Sequence, residues 1–106
     1  MKKLEIKVIV ITGAGMGLGL ATAIEAAKEG AKLSLIDYNS KALEDAKASI
    51  LKTYPGTKVL TITADVSKEE AVKAYVNETV EAYGRIDGFY NNAGIEGKQA
   101  LLTEYD

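Results

Sequence analysis

The sequence predicts an α/β fold in which parallel strands alternate with helices. Short apolar runs are separated by longer stretches whose apolar residues recur every three or four positions, the spacing of an amphipathic helix. Stretches of this length are typical of crossovers between parallel strands, because parallel neighbours cannot be joined by tight hairpins. Gly30, Pro55-Gly56 and Gly84 stand at the ends of the helical stretches. The predicted order is β-α-β-α-β-α-β, in a single domain over residues 1–106.

The first half of the chain predicts two strands around one helix. Residues 6–11 are β-branched except for one lysine, which is typical of a strand buried on both faces. Residues 18–29 are rich in alanine and are predicted as a helix that ends at Gly30. Residues 32–37 form the second strand. The side chains expected to face the sheet from the helix are Leu20, Ile24 and Ala27.

In the second half, Ser40 is the expected cap of a helix that ends before Pro55-Gly56. Its buried stripe is expected to consist of Leu43, Ala46 and Ile50. Residues 58–63 are predicted as the third strand, and residues 86–91 as the fourth.

The last helix is predicted between these two strands, where Ser67 and Glu70 have the spacing of a capping box. It is expected to run to Gly84. Its broad apolar stripe is expected to comprise Val72, Tyr75, Val76, Thr79, Val80 and Tyr83.

Right-handed crossovers would give the strand order 3-2-1-4, with the first two helices on one face and the third on the other. The face with one helix would then leave the first strand and Phe89 or Tyr90 partly bare, and the fourth strand would have an open edge. We therefore expect the chain to self-associate through that face or edge.

Composition excludes several classes of function. The net charge is −2 without charge blocks, which argues against nucleic-acid and membrane partners. Cysteine and histidine are absent, so disulfides, thiolate nucleophiles, Ser-His-Asp triads and the usual zinc sites are excluded, and no metal is expected. The sequence has no signal-peptide pattern and no run of about 18 apolar residues. We expect a cytoplasmic protein.

A glycine-rich loop follows the first strand and opens the alanine-rich helix. Glycines let the backbone approach a phosphate, and the amides and dipole at a helix start favour negative charge. A P-loop would require Gly-Lys-Ser/Thr where the chain has Gly19-Leu20-Ala21. The loop therefore predicts pyrophosphate binding. The candidate residues are Gly13, Gly15, Met16, Gly17, Leu18 and Gly19.

Two carboxylates end strands at the same predicted edge of the sheet. Asp37 stands about 20 residues beyond the glycine loop, where a Rossmann fold places an acidic residue against the adenosine ribose. Its charge would repel the 2′-phosphate of NADP, so NAD is the predicted cofactor; the alternative is a polar residue that merely begins a loop. Asp65 precedes Val66 after the third strand, and an aspartate before a helix is also common for dipole reasons alone.

At Asn91-Asn92-Ala93-Gly94 the chain closely resembles the short-chain dehydrogenases/reductases, since the glycine loop, Asp37, Asp65-Val66 and this motif occur in that family's order. The resemblance implies that Asp65 bonds the adenine amino group and that Val66 lies along the ring. It also implies that Asn92, Ala93 and Gly94 line the cleft near the ribose groups, while Asn91 braces the sheet.

The resemblance further implies hydride transfer between NAD and an alcohol/ketone pair by a serine and a helical Tyr-x-x-x-Lys. Those groups lie beyond Asp106 in the family, so we expect an incomplete, cofactor-binding half without turnover. Tyr54 and Lys58 have the formal spacing, but Pro55-Gly56 between them breaks any helix. The alternative is a fragment or engineered scaffold that binds no ligand usefully.

Overall fold

The computed structural model describes residues 7–15, 17–91 and 100–102. None of the helices in this part of the chain has the length and apolarity needed to cross a membrane. The strands are β1 (Val8–Thr12), β2 (Lys32–Asp37), β3 (Val59–Thr63), β4 (Gly88–Asn91) and β5 (Ala100–Leu102), and the helices are α1 (Gly17–Lys28), α2 (Ser40–Thr53) and α3 (Glu69–Tyr83).

The strands form a sheet in the order β3-β2-β1-β4-β5. All neighbours among the first four strands are parallel. The order 3-2-1-4 predicted from the crossovers is therefore confirmed. Register places Thr12 opposite Ile36 on one side and opposite Asn91 on the other, while Asp37 lies opposite Thr63. The carboxyl ends of four strands consequently meet along one edge.

The predicted open edge of the fourth strand is wrong. β5 pairs antiparallel with β4, so that Phe89 lies opposite Leu102 and Asn91 opposite Ala100. The sequence does not predict this strand, because three apolar residues after a glycine-containing motif are too short to show a strand period. Backbone groups of β4 that would face solvent are thereby paired.

The two faces of the sheet carry separate apolar clusters. On one face Ile9, Ile11, Leu33 and Leu35 pack beneath α1 and α2, and on the other Val10, Ile36, Ile62 and Phe89 pack beneath α3. The predicted distribution of helices is thus confirmed. For β1 and Phe89 the predicted bare face is wrong, because every residue of β1 is buried and Phe89 is only 7% exposed. Tyr90 is partly buried, but against the cluster beneath α1 and α2. The ring of Tyr75 covers Phe89, with ring centroids 6.0 Å apart.

Helix α1 packs through small residues rather than large ones. Its buried positions are Gly19, Ala23, Ala26 and Ala27. Ile24, predicted to face the sheet, is 37% exposed, and Leu20 is only partly buried. Small side chains allow the helix axis to lie close to the strands, so the larger side chains are displaced to its flanks.

Two helix starts differ from their predictions. Asn39 rather than Ser40 caps α2, and its side chain accepts a hydrogen bond from the Ala42 N–H at 3.0 Å. The capping box at Ser67 is wrong: α3 begins after Lys68 without a side-chain cap, because the Ser67 hydroxyl donates to Asp65 instead. The predicted stripe of α2 is fully buried, whereas Val80 of the α3 stripe is 43% exposed.

A buried pair of hydroxyl groups fixes α3 against β2. The Thr79 hydroxyl donates to the Tyr75 carbonyl oxygen at 2.7 Å, so its oxygen accepts the hydrogen bond from the Ser34 hydroxyl, also at 2.7 Å. Both Ser34 and Thr79 are 0% exposed. Since a buried hydroxyl without a partner is costly, this pair specifies how the helix docks on the sheet.

Replacing Thr79 by valine should lower the free energy of unfolding by about 1–3 kcal/mol, because the Ser34 hydroxyl loses its buried acceptor. Adding Ser34→Ala should recover part of that loss, since the orphaned donor is then removed. Urea unfolding followed by circular dichroism measures both effects. Strictly additive losses in the double variant would contradict this account of the pair.

Candidate functional site

The sequence-predicted site residues that the structure describes lie at the carboxyl edge of the sheet. Here β1 and β4 are joined by side chains as well as by their backbones: the Thr12 hydroxyl donates to Asn91 Oδ1 at 2.8 Å. This contact agrees with the expectation that Asn91 braces the sheet. It lies at the point where strand order reverses, which is where ligands of open α/β sheets bind.

The turn after β1 brings helix α1 unusually close to the strand end. A Cβ atom on Gly19 would lie 2.1 Å from the Gly13 carbonyl oxygen, a distance no side chain could occupy. Gly13 itself has a φ of 63°, in the left-handed region that favours glycine. The Ala14 N–H donates to the Ile36 carbonyl at 3.2 Å, which anchors the turn to β2. Gly13 and Gly19 therefore serve the approach of helix to strand.

Gly17, the first residue of α1, has a different environment. Its φ is 63°, and a Cβ built on it would meet no atom within 4 Å. Leu18 beside it is 57% exposed. The first amides of a helix have no intrahelical acceptor, and the dipole makes this end positive. The position of a side chain at Gly17 is thus open among the described residues beyond its chain neighbours, and a helix start with such space suits a pyrophosphate.

Asp37 ends β2 next to this turn and is 8% exposed. Its Oδ2 accepts a hydrogen bond from the Gly15 N–H at 2.9 Å, and its Oδ1 accepts one from the Asn39 N–H at 3.1 Å. The amide of Gly15, predicted to be among those presented to phosphate, is therefore bonded to the carboxylate. Sequence reasoning missed Asn39; the preference of asparagine for helix caps was the available signal.

Asp65 lies beyond the end of β3, while Val66 is partly buried against the α3-side cluster. The Ser67 hydroxyl donates to Asp65 Oδ1 at 2.6 Å and the Ser67 N–H donates to the same oxygen at 3.0 Å. These hydrogen bonds, the side-chain one first, lower the pKa of the Asp65 carboxyl below its usual value. The exposed Asp65 carboxylate has lone pairs left for a further donor. The Ala64 N–H bonds the Asp37 carbonyl at 3.0 Å, so the chain just before Asp65 is joined to the end of β2.

Four of the predicted cofactor-binding residues lie outside the described residues. They are Met16, Asn92, Ala93 and Gly94. Their roles stay predictions.

Tyr54 and Lys58 lie at the opposite, amino-terminal edge of the sheet. Tyr54 is the C-cap of α2 and Lys58 precedes β3, with the turn at Pro55-Gly56 between them. They do not share a helical face, so their rejection as a catalytic pair is confirmed. An open depression of about 490 Å³ lies here, but residues of the glycine loop do not line it.

A glycine turn between the first strand and first helix, with a carboxylate ending the second strand, defines a dinucleotide-binding α/β fold of Rossmann type. The family model for short chain dehydrogenase matches residues 7–106. This chain belongs to the short-chain dehydrogenase/reductase family, as its motifs predicted.

Relatives of known structure share this fold. Levodione reductase from Leifsonia aquatica is 61% identical over 93 residues, which are 88% of this chain and 35% of that protein. A levodione reductase crystal structure matches with a TM-score of 0.86 at 58% identity, covering 92% of this chain and 38% of that one. For NAD+-bound xylitol dehydrogenase the TM-score is 0.76 at 43% identity, covering 81% of this chain and 32% of that one. For L-sorbose reductase from Gluconobacter frateurii, complexed with NADPH and L-sorbose, the TM-score is 0.81 at 38% identity. The match covers 87% of this chain and 35% of that one.

This chain therefore spans about a third of the length of these relatives. Both cofactor-bound structures hold a nicotinamide dinucleotide, but one holds NAD+ and the other NADPH. The family supports a dinucleotide ligand and leaves the choice of dinucleotide to the residues around the ribose.

Replacing Gly19 by alanine should destabilise the fold by about 3 kcal/mol, because the new methyl group would displace α1 from the Gly13 carbonyl. Gly56→Ala is a matched control, since its Cβ would meet nothing within 4 Å. Chemical unfolding of both variants measures the difference. Equal stabilities would contradict the close approach of α1 to the turn.

Proposed function

We propose that this chain binds NAD(H) at the carboxyl edge of its sheet, as the cofactor-binding half of a short-chain dehydrogenase/reductase. The observation that carries the proposal is the pairing of an uncrowded helix start at Gly17 with the carboxylate of Asp37 on the adjacent strand end. On this proposal residues 1–106 are one dinucleotide-binding domain, incomplete relative to the family.

The helix start would hold the pyrophosphate. The described donors at this point are the first amides of α1, at Gly17, Leu18 and Gly19, and the open space beside Gly17 fits a group that approaches the backbone closely. Gly13 would act by letting α1 lie against the strand end, and Met16, within the same loop, would contribute to binding the cofactor.

Asp37 would select NAD over NADP. A carboxylate has about four lone-pair sites, of which the amides of Gly15 and Asn39 occupy two. Each oxygen can therefore accept one ribose hydroxyl. A 2′-phosphate would instead bring two negative charges together at a largely buried position, which is unfavourable.

The adenine and nicotinamide ends would be held by the remaining candidates. Asp65 would accept a hydrogen bond from the adenine amino group while Val66 lies along the ring. Asn92, Ala93 and Gly94 would line the cleft near the ribose groups. The adenine end of this arrangement is supported by the position of Asp65 and Val66 shortly after β3.

The bound dinucleotide would supply hydride exchange with an alcohol/ketone pair, the chemistry that the dehydrogenase and reductase names of the relatives suggest. A general acid is also needed for such a reaction. We propose that the 106-residue chain alone binds the cofactor without turnover. Tyr54 and Lys58, which have the formal Tyr-x-x-x-Lys spacing, lie at the amino-terminal edge of the sheet, opposite the proposed cofactor site. A cytoplasmic location, the lack of nucleic-acid and membrane partners, and self-association stay predictions.

Calorimetric titration tests the proposal: NADH should bind saturably and more tightly than NADPH. Asp37→Ala should weaken NADH binding by about 1–3 kcal/mol, because the ribose hydroxyls lose a charged acceptor. The same change should leave NADPH binding unchanged or improved. The absence of saturable binding to either nucleotide would support a scaffold without a useful ligand.

Gly17→Ala tests the pyrophosphate site and has a matched control in Gly84→Ala. Both glycines have positive φ and open surroundings, so both variants should lose stability by about 1–2 kcal/mol. Only Gly17→Ala should weaken NADH binding, by roughly tenfold or more, since Gly84 ends α3 at the far edge of the sheet. Equal NADH affinities in the two variants would contradict the assignment of the helix start.

A further inference from the structure

Gly15 differs from the other glycines of the loop in what surrounds it. A Cβ atom on Gly15 would lie 2.6 Å from the Ala42 Cβ and 2.9 Å from Asp37 Oδ2. Its N–H donates to that same carboxylate oxygen. Gly15 therefore bears on the Asp37 carboxylate in two ways. Its N–H donates a hydrogen bond to the carboxylate, and its lack of a side chain leaves the space that the carboxylate needs.

We propose that Gly15 is a specificity-determining residue that fixes the Asp37 carboxylate in its NAD-selective position; this inference rests on the proposed function. The amides of Gly15 and Asn39 hold one oxygen each, so the carboxylate cannot rotate without breaking a hydrogen bond to a charged group. A fixed carboxylate keeps its remaining lone pairs aimed at the ribose. It also cannot turn away from a 2′-phosphate.

Ala42 forms the rigid side of this arrangement. It lies in the first turn of α2, where the Ala42 N–H bonds the Asn39 side chain at 3.0 Å and the Leu43 N–H bonds the Asn39 carbonyl at 3.1 Å. A side chain at position 15 would therefore meet a capped helix on one side and a carboxylate on the other. Of the two, the carboxylate is the group that would yield, because a side chain can change rotamer at the loss of a hydrogen bond whereas Ala42 is part of the helix backbone.

Two features of α2 thus act on the ribose site without touching the ligand. The small side chain at position 42 makes room for the loop. The Asn39 side chain accepts a hydrogen bond from the Ala42 N–H, and the Asn39 N–H donates to one oxygen of the Asp37 carboxylate. Selectivity would depend on the junction between the glycine loop and the second helix as well as on the presence of Asp37.

Gly15→Ala tests the inference in the 106-residue chain by calorimetric titration with NADH and NADPH. The displaced carboxylate should weaken NADH binding by roughly tenfold, the effect of losing one hydrogen bond to a charged group. NADPH binding should change little, so the preference for NADH should fall by a similar factor. Gly56→Ala, a glycine replacement in an uncrowded turn, should leave the preference unchanged.

Ala42→Gly supplies the rescue and a safeguard against misfolding. Added to Gly15→Ala, it removes the 2.6 Å contact and should restore part of the lost preference, relative to Ala42→Gly alone. Circular dichroism confirms that each variant is folded. If Gly15→Ala does not fold, the double variant must still show a lower preference than Ala42→Gly.

An unchanged ratio of NADPH to NADH dissociation constants in folded Gly15→Ala, with selective wild-type binding, would overturn this inference alone. An equal fall in both affinities would also overturn it, since Gly15 would then act on the shared part of the ligands. Failure of the wild-type chain to bind either nucleotide would overturn the proposed function and this inference together.

Discussion

The close approach of helix α1 to the end of β1 is the constraint on which the rest of the site depends. Gly19 lies against the Gly13 carbonyl at a separation that admits no side chain. This contact places the start of α1 at the carboxyl edge of the sheet. Because α1 rests on alanines, the helix can lie close to the strands along its length. The proposed anion site would thus be a product of packing.

The glycines of the loop have separate physical tasks. Gly13 and Gly19 allow the chain to turn and the helix to approach, Gly17 leaves open space, and Gly15 holds the neighbouring carboxylate. A glycine pattern in a sequence does not distinguish these tasks. The local surroundings do, because each missing side chain faces something different.

Much of the architecture could be predicted from the sequence because β-branched runs and helical stripes reflect burial directly. The strand order and the stripe Leu43, Ala46 and Ile50 are examples. Features that depend on competing local hydrogen bonds could not be predicted from the sequence. The Ser67 hydroxyl could cap α3 or hydrogen-bond to Asp65, and only the folded structure shows that it donates to the Asp65 carboxylate. Strand β5 and the coverage of Phe89 depend on contacts distant in the chain.

The positions of the candidate residues could be predicted to the level of strand ends, since motifs and spacing place Asp37 at the end of β2 and Asp65 shortly after β3. The hydrogen bonds that hold Asp37 could not be predicted, because they come from Gly15 and Asn39, which lie in two different loops. The most direct test of the account is an amide NMR titration of the chain with NADH. The account predicts the largest shifts at residues 17–19, 37–39 and 65–66. Shifts confined to residues 53–58 at the opposite edge, or no shifts, would contradict it.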